Sequence, residues 1–145
     1  MAKATQSIEI NAEPKACYDV ITDFESYPQF LKEMKGVEAE KKGASAWEVR
    51  FTMELIKKIS YTLKISGKPP TRVNWSMLEG DMMKSNDGEW VISDLGGGVT
   101  RATYSIEVGL GLLVPGAISK MLIGSNLPSM LQSFKKRIES IKKKK

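Results

Sequence analysis

The sequence predicts an α+β domain in which a curved antiparallel sheet of about seven strands wraps a long C-terminal helix, with two short helices after the first strand. Three observations carry this. Apolar residues alternate at every second position through three segments of the chain, and they recur at three- and four-residue spacing near both ends. Gly, Pro, Asn and Asp clusters separate the alternating segments at short intervals, as hairpin turns require.

Taken in order, residues 5–10 read as a strand, with Ile8 and Ile10 between polar neighbours. Asn11 to Pro14 then start a helix over residues 14–23, because proline is tolerated in a first turn and Glu13 suits the positive end of the helix dipole. Cys17, Val20, Ile21 and Phe24 make its buried stripe, and a second short helix is expected at residues 27–34, after the early Pro28. From Gly36 the period becomes two. Trp47, Val49, Phe51, Met53 and Leu55 alternate with Glu48, Arg50, Thr52 and Glu54; Ile59, Tyr61, Leu63 and Ile65 form a second such strand; Ala102, Tyr104, Ile106 and Val108 form a third. One wet face on each strand fits an antiparallel sheet and not a doubly wound parallel one.

Less regular strands are expected at residues 37–42, 72–79 and 83–93, with turns at 42–43, 67–70, 79–81, 86–88 and 96–98. Leu127, Leu131, Phe134, Ile138 and Ile141 follow the four-three spacing of an amphipathic helix, in which Pro128 either kinks the helix or opens its second half. A chain of 145 residues can bury a core without metals or disulfides, so one domain over 1–145 is expected, with Lys142 to Lys145 as a basic tail. Those four lysines supply most of the net charge of +5, which therefore says little about the folded surface.

Composition narrows the chemistry. The absence of histidine excludes Ser-His and Cys-His nucleophile pairs and His-containing zinc sites. Cys17 is the only cysteine, so internal disulfides and thiolate clusters are excluded. There is no phosphate-binding loop and no recognisable leader segment; a reducing cytoplasmic location is the default expectation, with no cofactor, metal or catalytic residue assigned. The apolar run over residues 108–124 is broken by Pro115 and Lys120 and falls short of the about 20 residues a membrane span needs.

Geometry then suggests a hollow interior. Seven strands make a sheet about 30 Å across, whereas a helix is about 10–12 Å wide, so the sheet must curl and any mismatch in filling leaves space. The candidate walls are Phe51, Met53, Tyr61, Leu63, Trp75, Met77, Met83, Trp90, Ile92, Tyr104 and Ile106, facing Leu122, Asn126, Met130 and Leu131 on the helix; the same stripes equally describe a filled core, which every half-buried sheet builds. Methionines and broad aromatics suit an adaptable apolar pocket, in which Tyr61, Tyr104 and Asn126 are the polar points. No Asp, Glu, Lys or Arg falls on the inward stripes of the clear strands.

The segment from Pro14 to Phe30, with its Asp23-Phe24 pair and Tyr27-Pro28, resembles the signature of the START-like polyketide cyclase/dehydrase family, near the coenzyme Q-binding START-like proteins. The strand ending in Glu79-Gly80, the Gly88-Glu89-Trp90 step, residues 100–106, and the Leu127-Pro128 helix with Lys136-Arg137 extend the likeness over nearly the whole chain. The resemblance implies a helix-grip fold of the SRPBCC (birch-pollen-allergen-like) superfamily and a hydrophobic ligand, without naming it. Three functions are thereby raised. The first is binding or carriage of a lipid, isoprenoid quinone or polyketide-like molecule, with Leu110, Leu112 and Leu113 available for transient contact with a membrane surface. The second is a polyketide aromatase/cyclase, which the lack of inward ionisable groups disfavours. The third is a ribosome- or RNA-associated module, disfavoured because no aromatic is interleaved with the C-terminal lysines.

Overall fold

A computed structural model describes residues 2–54, 58–111, 116–121 and 126–143. The elements run β1 (Ala2–Ile10), α1 (Pro14–Ile21), a 3-10 helix (Phe24–Gln29), β2 (Met34–Gly43), β3 (Ala46–Glu54), β4 (Lys58–Lys68), β5 (Arg72–Gly80), β6 (Met83–Gly96), β7 (Val99–Leu110), α2 (Gly116–Lys120) and α3 (Asn126–Lys143). The strands form one antiparallel sheet in the order β1-β7-β6-β5-β4-β3-β2. Strands β2 to β7 are thus a meander, while β1 pairs with β7 from Ala2↔Val108 to Ile10↔Thr100. This is the expected helix-grip arrangement, with the inner face of the sheet turned toward α3.

The alternating strands face as their sequences imply: Val49, Phe51 and Met53, and Ile59, Tyr61, Leu63 and Ile65, are buried in one core with Phe134 and Ile138 of α3. Leu55 lies outside the described residues. Two local expectations are corrected. Where a helix was expected at residues 27–34, the chain forms a 3-10 turn from Phe24 and already enters β2 at Met34. The reason is the three-residue repeat, which places the anchors Phe24 and Tyr27 on one face, their rings 5.7 Å apart. Residues 86–88 are not a turn: β6 runs unbroken from Met83 to Gly96, and Gly88 serves to admit the Trp75 ring rather than to bend the chain. Gly96, Gly97 and Gly98 do turn, all at positive φ, between β6 and β7.

Pro128 sits in the first turn of α3, where its missing N–H is not needed. Further along, Lys135 Nζ donates to the Glu9 carbonyl at 2.8 Å and to Glu139 Oε2 at 2.7 Å, and that carboxylate also accepts from the Asn11 amide at 2.9 Å. Arg137 donates to Gln29 Oε1 at 2.8 Å while its guanidinium lies 5.4 Å from the centre of the Phe30 ring. These polar contacts tie α3 to both ends of the segment holding α1 and the 3-10 helix. After β7, Leu110 packs half-buried against the core, and Ile118 of α2 is fully buried rather than presented at the surface. Leu112, Leu113 and Leu122 lie outside the described residues. No described helix is long and apolar enough to cross a membrane.

One interruption of the sheet positions the site. The β5–β6 ladder is confined to Arg72–Trp75 against Val91–Gly88. Beyond it, β5 stays with β4 as far as Gly80↔Tyr61, and β6 stays with β7 as far as Met83↔Leu110. Trp75 stands at the point of divergence, its Nε1 donating to Asn86 Oδ1 at 2.9 Å.

Candidate functional site

Between the inner face of the sheet and α3 lies a cavity of about 100 Å³. Its walls come from every strand from β3 to β7. Phe51 and Met53 (β3), Tyr61 and Leu63 (β4), Trp75 (β5), Met83 and Trp90 (β6), and Tyr104 and Ile106 (β7) line it, with Asn126 and Met130 on α3. Three of the expected wall residues do not. Met77 lies past the point where β5 leaves β6, with its sulfur packed close to Gly80. Ile92 is buried in the core opposite Ala102, nearer the end of the sheet where Cys17 meets Thr100. Leu131 is buried beside, and not on, the stripe that Asn126, Leu127, Met130 and Phe134 turn to the cavity.

The wall also contains residues that were expected as helix core or not at all, rather than as wall. Ile21, Phe24 and Tyr27 close the cavity from the α1 and 3-10 side, Phe134 closes it from α3, and Leu31, Glu33 and Met34 contribute from the chain leading into β2. Tyr27 and Phe24 sit in the Asp-Phe and Tyr-Pro steps of the N-terminal signature, so a signal for them existed. Glu33 had none. Asn86 was hidden by its neighbours: Asn-Asp-Gly reads as a turn, yet here the asparagine is buried in the wall.

The aromatic residues are mutually braced. Trp90 lies edge-on to Tyr104 at 4.9 Å and to Phe134 at 5.1 Å, Phe51 stacks on Tyr61 at 5.4 Å, and Tyr104 lies 5.4 Å from Trp75. The polar atoms are poorly partnered by comparison. The Tyr27 hydroxyl donates to the Ile21 carbonyl. Tyr61 Oη reaches only the sulfur of Met53, at 3.7 Å, and Asn86 Nδ2 only the sulfur of Met83, at 3.6 Å. For Tyr104 Oη there is no hydrogen-bond partner among the described residues.

Burial holds all three cavity phenols far above the ordinary tyrosine value, so each is a neutral donor at physiological pH. Burial likewise pushes the Cys17 thiol from 9.0 up to about 11, against the opposing hydrogen bond with Thr100. The sign of the linkage is fixed: the unfolded chain loses these protons at lower pH than the folded one, so stability present below about pH 9 is lost as pH rises. The stability measured in urea is therefore expected to be flat from pH 7 to 9 and to fall above it. Each group adds about 1.4 kcal/mol per pH unit while it is ionised only in the unfolded chain. A stability unchanged at pH 10.5 would contradict this account of the buried hydroxyls.

A curved sheet closed on an apolar cavity by a C-terminal helix defines the START-like class of domain. Residues 10–135 match the family described as polyketide cyclase / dehydrase and lipid transport, and the chain belongs to that family. Its fold is similar to that of a START superfamily protein from Mycobacterium smegmatis (TM-score 0.84, 21% identity, covering 97% of this chain and 99% of that one). It is also similar to the Zhui aromatase/cyclase from Streptomyces sp. R1128 (TM-score 0.69, 16% identity, 95% and 86%). A third likeness is to a fragment of the STAR-related lipid transfer protein from Xanthomonas axonopodis (TM-score 0.73, 10% identity, 94% and 85%). No curated protein matches the chain.

Proposed function

We propose that this protein binds a small hydrophobic molecule between α3 and the sheet. The observation that carries the reading is the cavity itself: aromatic, aliphatic and methionine side chains from β3 to β7 and α3 surround free space that none of them fills. The volume sets the scale. Pockets that bury a drug-sized molecule run to about 300–1,000 Å³, so at about 100 Å³ this one receives a single ring or a short chain as it stands. Met53, Met83 and Met130 are the wall residues best able to change that, since unbranched thioethers repack readily. A lipid or an isoprenoid quinone would require such repacking.

Binding is favoured over cyclisation because the described wall offers neutral phenols and one carboxylate, Glu33, with no basic side chain near the tyrosines. Binding is also favoured over RNA recognition, since Lys135 and Arg137 are engaged with Glu9, Glu139, Gln29 and Phe30. The test is native mass spectrometry of protein purified from its own host, before and after organic extraction. The expected result is an added mass that extraction removes. A bare chain mass in both samples, with no apolar compound in the extract, sinks the proposal.

A further inference from the structure

The hydrogen-bonding inventory of the cavity points to the class of ligand, given that the cavity is a binding site. Among the polar groups of the wall, the Tyr27 hydroxyl is satisfied by a backbone carbonyl. Three others are not satisfied in kind. Tyr61 Oη and Asn86 Nδ2 donate only to methionine sulfurs, and Tyr104 Oη has no partner among the described residues. A thioether is a weak acceptor, so a donor held on one gains when an oxygen replaces the sulfur. Asn86 cannot turn its carbonyl inward to accept, because Trp75 Nε1 already holds Oδ1 at 2.9 Å. The orientation of that amide is therefore set, with its donor end toward Met83.

These three donors are held on sulfur or on nothing in the described structure, and the Asn86 Nδ2 end can only donate; Asn126 and Glu33 are the other polar contributors to the wall. Among the described residues the wall presents no cation, since none of those lining it is a lysine or arginine. An anion entering such a space would lose its hydration without gaining a counter-charge, and it would share the cavity with the Glu33 carboxylate. A neutral oxygen acceptor avoids that cost. We propose that the cavity selects an uncharged, ring-sized compound bearing a carbonyl-type oxygen, received by Tyr104 Oη with Tyr61 Oη and Asn86 Nδ2 as the neighbouring donors, and that it rejects carboxylates of the same size.

Tyr104 is the decisive group. Its ring is braced by Trp75 and Trp90, so Tyr104→Phe preserves the packing and removes only a hydroxyl that nothing in the described structure uses. The experiment titrates the whole protein with ethylbenzene, acetophenone and benzoate, three compounds of similar size, following backbone amide shifts of the cavity strands. Acetophenone is expected to bind roughly tenfold more tightly than ethylbenzene, the ratio that one net hydrogen bond gives, and benzoate is expected to cause no shift. In Tyr104→Phe the acetophenone advantage should disappear while ethylbenzene affinity stays as it was, with a Tm equal to or above that of the wild type.

Benzoate binding as well as acetophenone, or ethylbenzene equalling acetophenone in the wild type, overturns the proposal and leaves the binding reading intact. Failure of all three compounds to bind overturns this proposal, and only a bare chain mass in the extraction experiment removes the binding reading as well. If Tyr104→Phe fails to fold, Tyr61→Phe takes its place, and the wild-type ranking of the three compounds decides by itself.

Discussion

Truncating Phe134 to alanine is expected to cost about 3–5 kcal/mol of unfolding free energy, as large-to-small changes at filled aromatic sites do. Phe134 is only 2% exposed, and its ring meets Tyr27 at 5.3 Å, Phe30 at 5.1 Å and Trp90 at 5.1 Å. It is the one α3 residue in edge contact with both the 3-10 segment and the sheet, so no neighbour can collapse into its place without abandoning another partner. Because Phe134 also lines the cavity, the void left behind joins the existing space. Phe134→Leu, which keeps most of the volume, should cost about 1.5 kcal/mol or less. Urea unfolding of the two variants tests the argument. A loss below about 1.5 kcal/mol for the alanine variant would mean that the helix is held by its polar ties and not by this ring.

Gly88→Ala is expected to be the most damaging single methyl group. A Cβ at this position would lie 2.5 Å from Cζ2 and 2.9 Å from Cε2 of Trp75, and would also strike the Ser105 carbonyl oxygen. The backbone on the β7 side cannot retreat, since Gly88 is registered on Ile106. Trp75 must therefore move, and its hydrogen bond to Asn86 goes with it. Overpacking of this kind costs about 1–3 kcal/mol. Near-UV circular dichroism should lose intensity and tryptophan emission should shift to the red. Gly116→Ala is the matched control, because no described residue lies within 4 Å of the added atom. Equal melting temperatures for the two variants would refute the steric argument.

The same residues show what could be read without coordinates. Strict alternation in β3, β4 and β7 revealed which side chains face inward, because a half-buried strand has no other way to satisfy two unlike environments. That is why Phe51, Met53, Tyr61, Leu63, Tyr104 and Ile106 were identifiable as wall. Alternation reports the face and not the depth: Ile92 and Trp90 share a face, but one meets core and the other meets space. Tertiary packing decided the rest. Asn-Asp-Gly at 86–88 has the chemistry of a turn, and only the Trp75 ring lying across from it explains why the chain remains extended there. Glu33 reaches the cavity through the path of the chain between Gln29 and Met34, which no periodicity encodes.

The pairing of the first strand with the last has a consequence for how the molecule assembles. Every hairpin from β2 to β7 joins neighbours in sequence and can form as soon as it is synthesised, whereas Ala2 must find Val108 across nearly the whole chain. The contacts from Lys135 and Glu139 to Glu9 and Asn11 then need β1 already in place. Closure is therefore expected as the final and slowest step of folding, made by the two ends of the chain meeting over a preformed meander. Until that moment the apolar inner face of the sheet is open to water and to other chains, so the exposure to aggregation ends when β1 and α3 dock.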